Sequence, residues 1–257
     1  MDYETAVSKA KDIADRTLAP AARQNDKDAR FSSEAIAALG SSGLLAITLP
    51  TEMGGSGLGP RTVAAVIATI AEADASAAMV YLMHMCATAT IASARAGATI
   101  APTLKDIAAG RHLTTLAFSE AGSRSHFWAP VSRGKRDGAN VRITAKKSWV
   151  TSAGYAQSYV VSALALDGKG PTDSTLYLVA STKPGLSVAG PWDGFGMRAN
   201  ASAPMNLEDC EIESDFQLTD DGAGFKAMLE VVLPLFNLGT SAVALGLCRR
   251  WRPPRRI

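Results

Sequence analysis

The chain has 257 residues, 47% hydrophobic and 19% charged, with a formal net charge of +2. That balance suits one large or two ordinary packed domains and excludes a disordered or fibrous chain. The positive charge excludes little, because Arg249, Arg250, Arg252, Arg255 and Arg256 crowd the last nine residues.

With those arginines set aside the remainder is mildly acidic. Only Trp251 interleaves the basic tail, so it reads as a solvated charged end and no nucleic-acid partner is expected. Cys86, Cys210 and Cys248 are scattered, without the spacing of a zinc site or a disulfide framework, and are expected as buried small apolar residues. The sequence reads as lacking an apolar run of the roughly 18 residues that a bilayer span needs. Met1-Asp2-Tyr3-Glu4 has no signal-peptide shape, which predicts a cytoplasmic protein.

Residues 1–111 carry helical periodicity. Ala6, Ile13, Ala14 and Leu18 form the first apolar stripe, with Pro20 expected to close that helix. Ser32-Ser33-Glu34 predicts the capped start of a second helix, running through Leu39 and ended by Gly43. The run from Gly54 to Gly59 lacks the Lys-Ser/Thr of a phosphate loop and reads as a turn. Two Ala-rich helices follow from Pro60 to Ala96, broken near Asp74-Ala75-Ser76, and a short one from Thr103 to Ala109. Met79 to Cys86 (M-V-Y-L-M-H-M-C) suits either a helical core with His84 satisfied inside it or the wall of an adaptable apolar pocket.

The period then changes. Leu113–Phe118, Val141–Trp149, Tyr159–Leu166, Leu176–Ser181 and Pro204–Leu207 are short alternating or β-branched runs. Turns at Asp137-Gly138, Asp167-Gly168 and Lys183-Pro184-Gly185 separate them, predicting a small all-β unit. From Gly222 the helical pattern resumes through Phe225, Met228, Leu229, Val232, Leu235 and Phe236, with Pro234 expected to kink it. Cys248 to Ile257 breaks that pattern with two prolines among arginines. A reading-frame change or premature end of the gene is the expectation, tested by whether another downstream frame encodes the rest of a helical bundle.

Two stretches carry the chemistry. Leu116 to Ser125 (L-A-F-S-E-A-G-S-R-S) and Trp149 to Thr151 each run apolar strand residues into hydroxyls at a turn. Strand ends of this kind offer N–H groups and hydroxyls to a polar heterocycle or phosphate, and Trp149 adds a flat π surface. Taken alone, each is also an ordinary Ser- and Gly-rich turn. No Ser-His-Asp, Cys-His or metal-ligand arrangement competes: His84, His112 and His126 lie on different elements.

The pair resembles the flavin strands of the acyl-CoA dehydrogenase family, with their T-E-P-G-A-G-S-D-like run followed by W-I-T. Ala121, Arg124 and His126 depart from the Pro, Gly and Asp of that pattern. Leu49-Pro50-Thr51-Glu52 with the following glycines is similar to the family's P-x-x-x-G-G-x-G loop. Gly194 to Arg198 and Leu207 to Ile212 are similar to its G-W-R … F-E-D-V-x-V run, and Ser241 to Leu247 to the first helix of its C-terminal bundle.

The resemblance implies an α+β multidomain fold: an N-terminal all-α helical domain (residues 1–112), a middle β-barrel domain (113–214) and the truncated start of a C-terminal four-helix bundle (215–257). It implies an FAD site at Leu116, Phe118, Ser119, Ser125, Trp149, Val150 and Thr151, with Ser125 shared by an acyl-CoA substrate. It further implies fatty-acid oxidation, an electron-transfer partner and a homotetramer. Arg198 reads as a flavin or interface contact, or as a surface ion pair. The family's catalytic Glu is not found: in most of the family it lies in the C-terminal helical domain, beyond the end of this sequence, and in the isovaleryl branch its place falls at about Phe236 and Asn237, neither of which is a base. Glu230 lies almost two turns upstream, so no catalytic residue is assigned. Two other readings stay open. One is a flavin-dependent monooxygenase on the same fold; the other is a non-catalytic fragment whose cut bundle exposes Phe225, Leu229 and Val232.

Overall fold

The computed structural model describes residues 1–94, 97–124 and 126–251, and of residues 97 and 98 the backbone only. Ser125 and the tail beyond Trp251 therefore lie outside the described residues.

The first helix does not stop at Pro20. Helix α1 (Tyr3–Ile13), N-capped by the Asp2 carboxylate on Thr5 N (2.9 Å), runs through a π-turn at Ala14–Leu18 into α2 (Ala19–Asp28). Ala19 N donates five residues back to Ala14 O. This opens the coil before Pro20, whose ring would otherwise meet the carbonyl four residues earlier. Helix α3 (Ser33–Ser41) starts at the expected place, but Ser32 makes no side-chain cap. Its hydroxyl instead accepts from Asn25 Nδ2 (3.0 Å).

Helices α4 (Pro60–Ala73) and α5 (Ala75–Ala92) divide at Asp74, whose carboxylate caps Ala77 N (3.1 Å). Helix α5 is apolar on every side and forms the centre of the domain, as an all-round apolar helix must. Helix α6 (Gly97–Ala108) is longer than the sequence suggested and contains Pro102.

The β unit consists of two sheets. Strands β1 (Thr114–Ala117), β4 (Ser158–Leu164) and β5 (Ser174–Ala180) form one, in the order β1-β4-β5 with β1 and β4 parallel. Strands β2 (Gly134–Asp137), β3 (Asn140–Val150), β6 (Leu186–Val188) and β7 (Ala203–Ile212) form the other, antiparallel in the order β2-β3-β7-β6. Edge strands β2 and β6 escape a periodicity reading because they are short and largely exposed, and β2 is charged, as edges commonly are. Isolated bridges at Glu120–Lys147 and Arg133–Leu164 join the sheets.

The last helical stretch repeats the first. Helix α7 (Gly224–Ala227) passes through a π-turn at Met228–Val232 into α8 (Leu233–Arg250), and Leu233 N donates to Met228 O just before Pro234. Helix α8 lies along α4 and α5. Gly239 and Gly246 permit this approach: a Cβ on the first would overlap Leu82, and on the second the Ala68 carbonyl.

The exposed apolar side of this stretch differs from expectation. Val232 is buried and Phe225 half-buried, while Leu229, Leu238 and Leu245 are exposed. Cys86 and Cys210 are buried as expected, but Cys248 on α8 is exposed. Contrary to the sequence reading, two helical stretches among the described residues are, by length and composition, long and apolar enough to span a bilayer. Ala75–Ala92 is 72% buried as the core helix, and Gly224–Arg250 is 28% buried.

Candidate functional site

Helix α5, the ends of β1 and β3, the loop before β7 and the start of α8 meet around a cavity of about 490 Å³, within the usual range for a small-molecule site. Leu116, Phe118 and Ser119 come to it along β1, and Trp149 and Thr151 from the end of β3. Val150 is not part of the wall: alternation along the strand turns its side chain into the core, where it is fully buried.

Trp149 owes its position to a β-bulge. Lys147 pairs with Met205 and Val150 with Ala203, so Ser148 and Trp149 share the space of one residue on β7. Trp149 takes φ 58°, an uncommon value for a bulky residue, and stays 66% exposed. Its ring meets Trp192 edge to face, 5.6 Å between centroids and 90° between planes.

Several wall residues gave no sequence signal. Ser148 is the first residue of the bulge, and its N–H donates to Ser119 O (2.9 Å). The loop before β7 contributes Trp192, Met197, Asn200 and Ser202. Thr151 Oγ1 and Ser202 Oγ lie 3.1 Å apart, and Asn200 Oδ1 accepts Ser202 N (3.0 Å). Arg198 steadies that loop by clasping the helical domain. Its N–H donates to Asp26 Oδ1 (2.9 Å), its Nε to Asp26 O (3.2 Å) and a guanidinium nitrogen to Asp193 (3.0 Å). The methionine-rich helix divides its roles: Met79 and Met83 face the cavity, while Met85 is buried in the core.

His84 is a structural histidine. It is fully buried, with Nε2 2.9 Å from Leu45 O and Nδ1 accepting from Thr114 N (3.1 Å), so it ties α5 to the start of β1. Burial holds its pKa down to about 4.

None of the described wall residues is titratable. Phe236 belongs to the wall, whereas Asn237 and Glu230 are exposed. The nearest ion pair in sequence is the Glu120–Lys147 pair (2.6 Å), one residue from Ser119 and from Ser148, with both side chains essentially inaccessible. Burial lowers the Lys147 pKa against the opposing pull of the Glu120 carboxylate.

A two-sheet β unit between helical segments, with its cavity at the ends of β1 and β3, can be set against known proteins. The family model for the acyl-CoA dehydrogenase N-terminal domain matches residues 2–111, and that for the middle domain residues 115–210. The chain belongs to the acyl-CoA dehydrogenase family.

A protein named probable acyl-CoA dehydrogenase from Mycobacterium tuberculosis is 27% identical over 248 residues, covering 95% of this chain and 63% of the relative. The human mitochondrial short-chain specific acyl-CoA dehydrogenase is 28% identical over 262 residues, covering 96% of this chain and 60% of that enzyme. This family member thus spans about three fifths of the length of those relatives. Butyryl-CoA dehydrogenase of Megasphaera elsdenii shares the fold, with TM-score 0.90 at 19% identity over 97% of this chain and 68% of that one. Members of the family are flavoenzymes, and the helical, then β, then helical order described above is theirs.

Proposed function

We propose that this chain is the flavin-holding part of an FAD-dependent acyl-CoA dehydrogenase acting on the α and β carbons of an acyl-CoA thioester. The observation that carries the reading is the cavity at the ends of β1 and β3, where uncharged donors and acceptors converge inside an aromatic and methionine wall. That donor set fits a flat polar heterocycle: no carboxylate opposes it, and Ser119, Thr151 and Asn200 can reach polar ring edges. Ser123 adds a buried hydroxyl with no hydrogen-bond partner among the described residues, in the loop the resemblance gives to the pyrophosphate.

In this reading Ser119 and Thr151 hold the heterocycle, Trp149 covers its face, and Leu116 and Phe118 pack beside it. Val150 supports Thr151 from within the core, and Ser125 takes the pyrophosphate and acyl-CoA role. A bound FAD would supply the acceptor for a hydride from the substrate β-carbon. The wall residues exclude water and orient the thioester. Removal of the α-proton needs a carboxylate within hydrogen-bond reach; the described wall has none, and Phe236, at about the place the resemblance gives to the base of the isovaleryl branch, is part of it. An electron-transfer partner, a homo-oligomer, a place in fatty-acid oxidation and a cytoplasmic setting belong to the same proposal.

The test is a visible spectrum of the purified chain after adding FAD and removing the excess. The expected result is a retained, shifted flavin band, after which bleaching by acyl-CoA tests the dehydrogenase chemistry. A colourless protein would sink the reading. A second reading draws on the same aromatic wall without a base: a flavin-dependent monooxygenase needs no α-proton abstraction. Oxygen uptake with an aromatic substrate and externally supplied reduced flavin would favour it.

A further inference from the structure

Within that flavin reading, we propose that the buried Glu120–Lys147 pair positions the two strand ends that build the site, rather than serving chiefly to hold the fold together. The pair lies at one of the two isolated bridges that join the sheets, the other being Arg133–Leu164. Ala121 N donates to Lys146 O (3.2 Å) and Ser148 N to Ser119 O (2.9 Å), so the backbone pairing brackets the two side chains. Successive residues of an extended strand face opposite ways. Ser119 and Ser148 line the cavity, and Glu120 and Lys147 point beneath its floor.

Under the floor the two side chains tie down four segments. Lys147 Nζ donates to Glu120 Oε1 (2.6 Å) and to the Ser162 carbonyl on β4 (2.6 Å), with Phe118 O at 3.5 Å. Glu120 Oε2 accepts from Val131 N (2.9 Å) and Ser132 N (2.8 Å). Each oxygen of the carboxylate is therefore engaged, and the ammonium has charged and carbonyl partners on two sides. Such a fully satisfied buried network fixes geometry more firmly than apolar packing does, because moving either strand end leaves a buried charge unpaired. The residue after Lys147 begins the bulge that turns Trp149 to φ 58°. An arrangement this uncommon persists only where its surroundings over-determine it. The geometry makes Glu120 and Lys147 positioning residues; neither lines the cavity.

The experiment compares wild type with K147M and with the double variant E120Q/K147M. The double variant removes both charges together, and the Gln carbonyl can still accept from Val131 and Ser132. Two readouts are taken on chains that melt cooperatively. One is the FAD dissociation constant. The other, in the absence of flavin, is the near-ultraviolet circular dichroism of the Trp149–Trp192 contact, assigned by difference from W149F. The expected result is a folded double variant that has lost the tryptophan signal and binds FAD more weakly by about tenfold or more, a loss of about 1.4 kcal/mol or greater. A folded variant with both readouts unchanged overturns the inference. Loss of cooperative melting in both variants also overturns it, because the pair would then be holding the fold. If wild type binds no FAD, the flavin reading fails on its own, and the tryptophan signal alone decides the positioning role.

Discussion

Acid should loosen this protein at His84, and the size of the effect follows from the structure. The imidazole Nε2 lies against the Leu45 carbonyl, to which its hydrogen is donated, while Nδ1 receives the N–H of Thr114. Both nitrogens are thus used in the neutral form. A second proton would set two N–H donors against each other at the root of β1, with the Thr88 hydroxyl 3.4 Å from Nε2 and the charge of His112 nearby. Burial lowers the pKa from 6.5 to about 4. A histidine depressed in the folded state contributes its full stability above pH 6.5 and loses it as the pH falls toward 4. That difference amounts to about 3 kcal/mol, a large part of the stability of an ordinary domain. Urea unfolding at closely spaced pH values, on wild type and His84→Gln, measures it. The variant should be weaker at neutral pH, having lost one of two buried hydrogen bonds, but should fall less steeply in acid. Burial also lowers the His112 pKa, but that residue is present in both proteins and cancels in the comparison. Parallel pH profiles would refute the assignment of His84 as a buried neutral anchor.

Other outcomes follow from the same geometry. Gly246→Val should lower stability by about 1–3 kcal/mol through overlap with the Ala68 carbonyl, while Ala244→Val on the exposed side of α8 changes little; thermal melts decide. Asp26→Ala removes the carboxylate that holds the Arg198 backbone N–H, leaving only the bond from Nε to the backbone carbonyl at 26, and should weaken FAD binding up to about tenfold, equivalent to about 1.4 kcal/mol, as read by flavin titration. A thiol reagent should label only Cys248 in the native chain and all three cysteines after denaturation. Labelling of Cys86 or Cys210 before unfolding would contradict the packing described.

The fold could be read wherever local pattern and burial agree. The break at Asp74 was visible because a carboxylate caps the helix that follows, and the long strand β3 was visible because its burial alternates. Of the site, Leu116, Phe118, Ser119, Trp149 and Thr151 do gather at one cavity. Val150 does not reach its wall, and Ser125 lies outside the described residues. The remainder was hidden for physical reasons. Ser148 reaches the wall within a bulge that depends on pairing with β7, and Asn200 and Ser202 reach it through a loop that a distant aspartate holds. Nothing in the sequence pairs Glu120 with Lys147. Only the meeting of two sheets turns them inward.

The two π-turns bear on how chain length relates to shape. Each absorbs one extra residue inside a long helix while the coil on either side keeps its direction. Beyond Val232 the helical face is therefore offset by one position from what an uninterrupted 3.6-residue count from Gly224 would give, and Phe236 faces the cavity while Asn237 faces outward. Loss of one residue at 228–232 would restore a regular coil there and bring the Pro234 ring against the carbonyl four residues earlier. Relatives aligned with gaps confined to loops would assign the wrong side chain to the cavity face of α8.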